Sequence, residues 1–249
     1  MRGHGIGCRI TLHFETYLAL EPMEIAPQSV DRSTMTFLVD SIMLAMRAEA
    51  EFDLDFQNSL SRSALLASTH LLEASANTCI DALALGNGFA NDIDRLPFLS
   101  KFELFIQLRF PKRRFDRARH EVQGVSELKQ VRDSFVHPKS QKIIWESWSP
   151  DSSVSRSPRT KSLGLSRIAS YCCRDDAVLA LKATHAFLRY IFKDTCRYSA
   201  VRVNSFLCSE DPVPTHTEPV IPYWPRETHR WLQSHGIDVS YMRVGKLRL

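Results

Sequence analysis

The run Arg132-Asp133-Ser134-Phe135-Val136-His137-Pro138 sets an arginine and a histidine five positions apart, with a proline directly behind them. Arginine is a permanent cation whose planar fork can hold a phosphate by two parallel hydrogen bonds. Histidine as a residue type takes or gives a proton near neutral pH. Together they can activate a ribose 2′-hydroxyl against the adjacent phosphodiester. The imidazole moves the proton and the guanidinium stabilises charge on the pentavalent phosphorus. That scheme asks for no metal or cofactor. The sequence carries no HExxH pair, no CxxC pair and no Gly-rich phosphate loop, and His229 and His235 stand six apart, which suits no single helical metal face.

Positioning this pair needs a helix that stops in the right place. Leu128, Val131 and Phe135 recur at i, i+3 and i+7 and predict a helix over 126–136, capped by Ser126, with Glu127 at its positive end. Side chains five apart on one helix point about 140° away from each other. Pro138 ends the helix by pushing the preceding residue out of helical space, so His137 can swing round the terminus toward Arg132. Helix carbonyls at that end favour a cationic imidazole. The bland alternative is a surface arginine and a C-capping histidine.

Apolar spacing predicts further helices over 35–50, 62–84 and 175–195. Ser61 or Ser63 caps the second, and Gly86-Asn87-Gly88 stops it. A turn at Pro97 precedes a short buried helix. His185 lies on the apolar stripe of 175–195 and reads as a core or dimer-interface histidine. Residues 149–164, rich in Ser, Pro, Arg and Asp, read as a solvated loop. Five prolines in 209–225 make a non-regular strap, followed by a short helix near 227–235 and a strand-like piece over 239–249. The expected organisation is a weakly structured lead-in over 1–34, a helical domain over 35–200 and a Pro-rich extension over 201–249. Met23 and Met35 are alternative starts.

Between Arg109 and His120, six cations face one acid in twelve residues, with Phe110 and Phe115 interleaved. Lys112, Arg113, Arg114, Arg117 and Arg119, with Lys139 beyond the histidine, could line an RNA backbone groove. The alternative is a solvated basic loop, and the two phenylalanines are read as tucked into the core. Glu73 and Asn77, one turn apart on the second helix, can support Arg132 by hydrogen bonds or form a solvated edge. Nothing in the spacing selects His70 or His120.

The order of helices, the Arg132–His137 motif ending the third core helix, the long helix after it and the wording Phe-Val-His-Pro-Lys at 135–139 resemble the HEPN family. The resemblance covers roughly residues 35–200. It implies an all-α bundle of four to five core helices carrying an R-x(4 to 6)-H motif. Many family members are metal-independent endoribonucleases, toxins or parts of defence systems, and many act as homodimers with both motifs in one cleft. Arg132 then matches the phosphate binder and His137 the general acid and base. Asp133 stands where asparagine is commoner. A carboxylate there weakens phosphate attraction, yet it can orient Arg132 or the partner's His137.

Composition sets looser bounds. A 249-residue chain can bury a substantial core, and 44% hydrophobic with 24% charged residues is ordinary for a globular protein. The net charge of +4 permits RNA without demanding it. The six cysteines form no disulfide or zinc pattern, so reduced thiols and a cytoplasmic location are expected, with a redox-active Cys172-Cys173 pair as the alternative. No stretch reads as membrane-spanning. Three readings compete: a metal-independent endoribonuclease with RNA as substrate and an antitoxin or other protein partner, a non-catalytic helical module that binds RNA, a nucleotide or a partner protein, or a structural or interaction protein in which the Arg-His spacing is accidental.

Overall fold

A central helix organises the computed structural model, which describes residues 30–140, 142–149, 152–209 and 224–243. α1 (Thr34–Ala50) leads through a three-residue connection into this helix, α2 (Leu54–Asp81), which folds back along α1. α3 (Asn87–Asp94), α4 (Phe98–Arg109) and α5 (His120–Val136) follow. A hairpin of β1 (Ile144–Ser149) and β2 (Ser152–Arg156) separates them from α6 (Arg174–Arg189), which continues as a π-helical turn over Tyr190–Thr195. α7 (Ala200–Cys208) and α8 (Arg226–Ser234) complete the described elements. Among the described residues the class is all-α with one two-stranded sheet.

α2 touches α1, α4, α5, α6 and α7, so it must be buried on most sides. It achieves this with small hydroxyl residues. Ser61, Ser68 and Thr78 are buried, and each hydroxyl donates to the carbonyl four residues back, which satisfies it without an outside partner. Leu65, Leu72, Ala76 and Cys79 of α2 meet Leu38 and Ile42 of α1, Phe102 and Phe105 of α4, Leu128 and Val131 of α5, and Leu181 and Phe187 of α6 in one core. Val203 and Leu207 of α7 and Leu232 of α8 join the same core, as do Trp224, Ile237 and Tyr241. The stretch read as an extension therefore contributes to the main hydrophobic interior.

Several boundaries differ from the sequence expectation. α2 begins eight residues early, because Asp53 rather than Ser61 or Ser63 caps it, its side chain accepting the Phe56 N–H at 2.8 Å. Gly86 precedes α3 as its N-cap, so the glycine pair opens a helix instead of closing one; the chain has already turned at Ala84, whose φ is 49°. α5 starts at His120, which leaves Ser126 inside it. Glu127 is then too deep for the helix N-terminus. Its carboxylate instead accepts the N–H groups of Ser162 and Leu163, both at 2.9 Å, and ties the following loop to α5. The supposed loop over 149–164 includes β2, paired antiparallel to β1 with Glu146 opposite Val154. Residues 239–243 form a turn, not a strand, and 244–249, the strap over 210–223 and the lead-in over 1–29 lie outside the described residues.

Among the described residues, no helix is long and apolar enough to cross a membrane. Cys79, Cys172, Cys196 and Cys208 are buried free thiols, and burial pushes the Cys196 and Cys208 thiols up to about 12.

Candidate functional site

α5 ends where Pro138 requires it to. Val136 is its last helical residue, and His137 caps it with φ −119° and its N–H on the Asp133 carbonyl at 2.9 Å. The His137 side chain is exposed. With ψ at 65° the backbone of His137 has left the helix, so the ideal-helix angle no longer fixes its side chain relative to Arg132. The two differ in setting: His137 is exposed, and Arg132 is largely covered.

Arg132 turns inward, toward α2. Its Nη2 donates to Glu73 Oε1 at 2.5 Å, with the guanidinium side chain only 19% exposed. The Asp133 carboxylate lies 3.3 Å from its Nε, too poorly aligned for a hydrogen bond, so that buried Nε has no hydrogen-bond partner. Asp133 is itself bound by Lys129 at 2.6 Å, one turn back on the same helix. Arg132 thus sits between two carboxylates, and a phosphate binding there must compete with Glu73.

Glu73 belongs to a polar stripe along α2. His70, Glu73, Asn77 and Asp81 follow one another at helical spacing and line a groove of about 380 Å³ with Arg32 and Phe37. The Phe37 ring lies 5.1 Å from that of His70. Lys101, 6% exposed, reaches from α4 to donate to Asn77 Oδ1 at 2.7 Å and to Asp94 Oδ1 at 3.1 Å. A lysine ammonium only donates, so it fixes the Asn77 amide with its oxygen inward and its NH₂ outward. Burial pushes the Asp81 carboxyl up, against the opposing pull of Arg32 and Lys101. Both supporting residues named from sequence, Glu73 and Asn77, therefore face this groove, each held by a cation from another helix. Arg32, His70, Asp81 and Lys101 were not selected. The three-and-four spacing of His70, Glu73, Asn77 and Asp81 was the available cue for two of them. Lys101 lies among apolar positions of α4 and gave none.

The basic loop lies at the opposite end of α5. Phe110 and Phe115 pack against the core, Phe110 beside Phe105 and Tyr198, Phe115 beside Phe187 and Tyr190, so neither is a stacking platform for RNA bases. Arg117 is paired with Glu103 at 2.5 Å and Arg119 with Glu121 at 2.9 Å. Arg113 donates to the Thr195 carbonyl at 2.5 Å. Lys112, Arg114 and Lys139 are exposed. Half of the cations read as an RNA groove are therefore held in internal contacts.

His185 is fully buried, with Nδ1 2.9 Å from the Tyr241 hydroxyl and Nε2 unpartnered. It belongs to the interior. Among the described residues, no group of three or more His, Cys, Asp or Glu side chains could hold a metal ion. Comparison of the chain with protein-family models, with curated proteins and with solved structures gives no match.

Proposed function

We propose that this protein is a HEPN-like metal-independent endoribonuclease, with His137 as general acid and base and Arg132 as phosphate binder. The observation that carries the reading is the state of the α5 exit. An exposed imidazole stands at a helix terminus, and an arginine one turn earlier is held in a fixed orientation by Glu73 from the neighbouring helix. A pre-set guanidinium spends little further conformational entropy when a phosphate arrives. Within one chain Arg132 is tied to α2 while His137 is exposed, so the cleft that uses both is assigned to a two-fold contact, where His137 faces the partner's Arg132. A homodimer is accordingly part of the proposal. Asp133, neutralised by Lys129, acts on the orientation of Arg132.

A second reading is favoured by the carboxylates around Arg132. With Glu73 and Asp133 both within 3.3 Å, the arginine can serve as a structural tie, and the chain is then a non-catalytic module that binds RNA or a partner through the α2 groove. Incubation of wild type and His137→Ala with a labelled RNA in EDTA separates the two. Cleavage by the wild type alone, leaving 2′,3′-cyclic phosphate ends, is the expected result. Equal cleavage by both proteins removes His137 from the mechanism, and binding without cleavage by either leaves the second reading.

A further inference from the structure

The arginines at the other end of α5 form a site of their own. A cavity of about 330 Å³ is lined by Arg113 and Arg114 of the basic loop, Arg119 at the start of α5, Tyr190 at the opening of the π-helical turn and Arg197 just beyond it. Arg119 and Arg132 are separated by roughly 20 Å along the helix axis. The cavity is therefore distinct from the α5 exit.

Two of these guanidiniums are pre-set. Arg113 is held by the Thr195 carbonyl and lies 4.7 Å over the Phe110 ring. Arg119 makes two parallel bonds to Glu121, at 3.0 and 2.9 Å, and lies 4.8 Å over the Tyr190 ring. The Tyr190 oxygen accepts the Asp116 N–H at 3.1 Å, so its own proton can go to another acceptor. Arg114 and Arg197 are exposed and can close on a ligand. Of the two acids on the cavity wall, Asp116 is engaged by the Ala118 N–H at 2.9 Å, and Asp194 is the other. A helix C-terminus attracts a cation, which accounts for Arg113 on the last carbonyls. It does not account for the rest: Glu121 neutralises Arg119, and the wall still carries Arg113, Arg114 and Arg197 against Asp116 and Asp194, an excess positive charge that an anion can join.

The backbone is unusual at the same place. The Cys196 N–H reaches back five residues to the Ile191 carbonyl at 2.8 Å, a π-type turn of the sort found frequently at functional sites. Arg197 holds φ at 54°, a left-handed conformation that side chains rarely adopt. Together these turn the chain so that Arg197 faces the basic loop across the cavity.

We propose that this cavity binds a phosphomonoester, the dianionic terminal phosphate of a nucleotide or of an RNA end. Convergent guanidiniums match a dianion with three free oxygens better than a monoanionic backbone diester. The proposal does not depend on the endoribonuclease reading.

The test uses the full chain, a labelled 2′-O-methyl oligoribonucleotide that cannot be cut through its 2′-oxygen, and AMP. The oligonucleotide is offered with a 5′-phosphate or a 5′-hydroxyl, and binding is followed by fluorescence anisotropy. The variant is Arg114→Gln with Arg197→Gly. Glycine suits the positive φ, so the fold is kept. The control removes two distant charges by Lys142→Gln with Lys182→Gln. The wild type and the control should bind the 5′-phosphate form, AMP, or both at least about tenfold more tightly than the double variant does. Displacement of the phosphorylated oligonucleotide by AMP assigns the site to free nucleotides, and resistance to AMP assigns it to a polynucleotide end. No binding of either phosphomonoester by the wild type, equal binding of the 5′-hydroxyl and 5′-phosphate forms without AMP binding, or binding unchanged in the double variant overturns the proposal.

Discussion

Arg132 shows how one side chain can be read correctly as a type and still be incompletely understood. Its charge and its place before a proline-terminated helix end are visible in the sequence. Its partner Glu73 lies 59 positions away, and only the packing of α5 on α2 brings them to 2.5 Å. His185 carries a sharper consequence. Burial lowers its pKa to about 4, with a small opposing pull from Asp238. In the unfolded chain the same imidazole titrates near the ordinary value of about 6.5. Between these values the unfolded state binds more protons, so stability falls as pH drops from about 6.5 to about 4. The full loss is on the order of 3 kcal/mol. Glu49, Glu121, Glu127 and Asp238 also sit below the ordinary carboxylate range and add to acid lability at lower pH. For Glu127, burial alone would raise the carboxyl, and the Leu163 and Ser162 N–H groups outweigh it. A His185→Gln variant keeps a partner for Tyr241 and has no such titration. Urea unfolding across this pH range should give it a clearly flatter profile than the wild type. Parallel profiles would remove His185 as a source of acid lability.

At the scale of elements, apolar spacing located α1 and α6 closely, because each buries one clear stripe, and Pro97 with the Phe- and Leu-rich run behind it located α4. It failed at the start of α2, where Leu54 and Phe56 are 70% and 51% exposed and no stripe exists to be seen. Ser61 and Ser63 have the side chains of helix caps but spend them on carbonyls four residues back. The Asp53 cap predicts a cost: Asp53→Ala should lower stability by about 1 kcal/mol, read as a lower urea midpoint at unchanged slope. An unchanged midpoint would mean that packing alone sets the start of α2. The first turns of α5 were missed because Ser126 has the side chain of a cap but lies inside the helix. A Cβ at Gly124 would lie 3.3 Å from the Leu163 side chain, a tight approach, and 3.7 Å from Ala183 on α6. The π-helical turn over Tyr190–Thr195, with the Thr195 carbonyl bound by Arg113, has no cue in the sequence.

For the whole molecule, α7 and α8 share the core with α1, α2, α4, α5 and α6, and α8 is clasped to α1 through Glu49. That carboxylate accepts hydrogen bonds from the Trp231 indole and from His235 Nε2, the latter at 2.8 Å. Val203, Leu207, Trp224, Leu232 and Tyr241 are each at most 5% exposed. A chain ending at residue 199 should therefore lose cooperative unfolding and expose apolar surface to dye, because those side chains close the interior. A soluble, cooperatively unfolding truncation would show that residues 34–199 form a core alone. The sequence by itself determined the helical class, the stop at Pro138 and the residue types at the α5 exit, because these depend on local spacing and on the backbone limits of proline. Tertiary structure decided the rest. It turned Arg132 toward Glu73, gathered four arginines around one cavity and drew the C-terminal helices into the core. Each of these depends on contacts between residues far apart in the chain, and no local pattern encodes them.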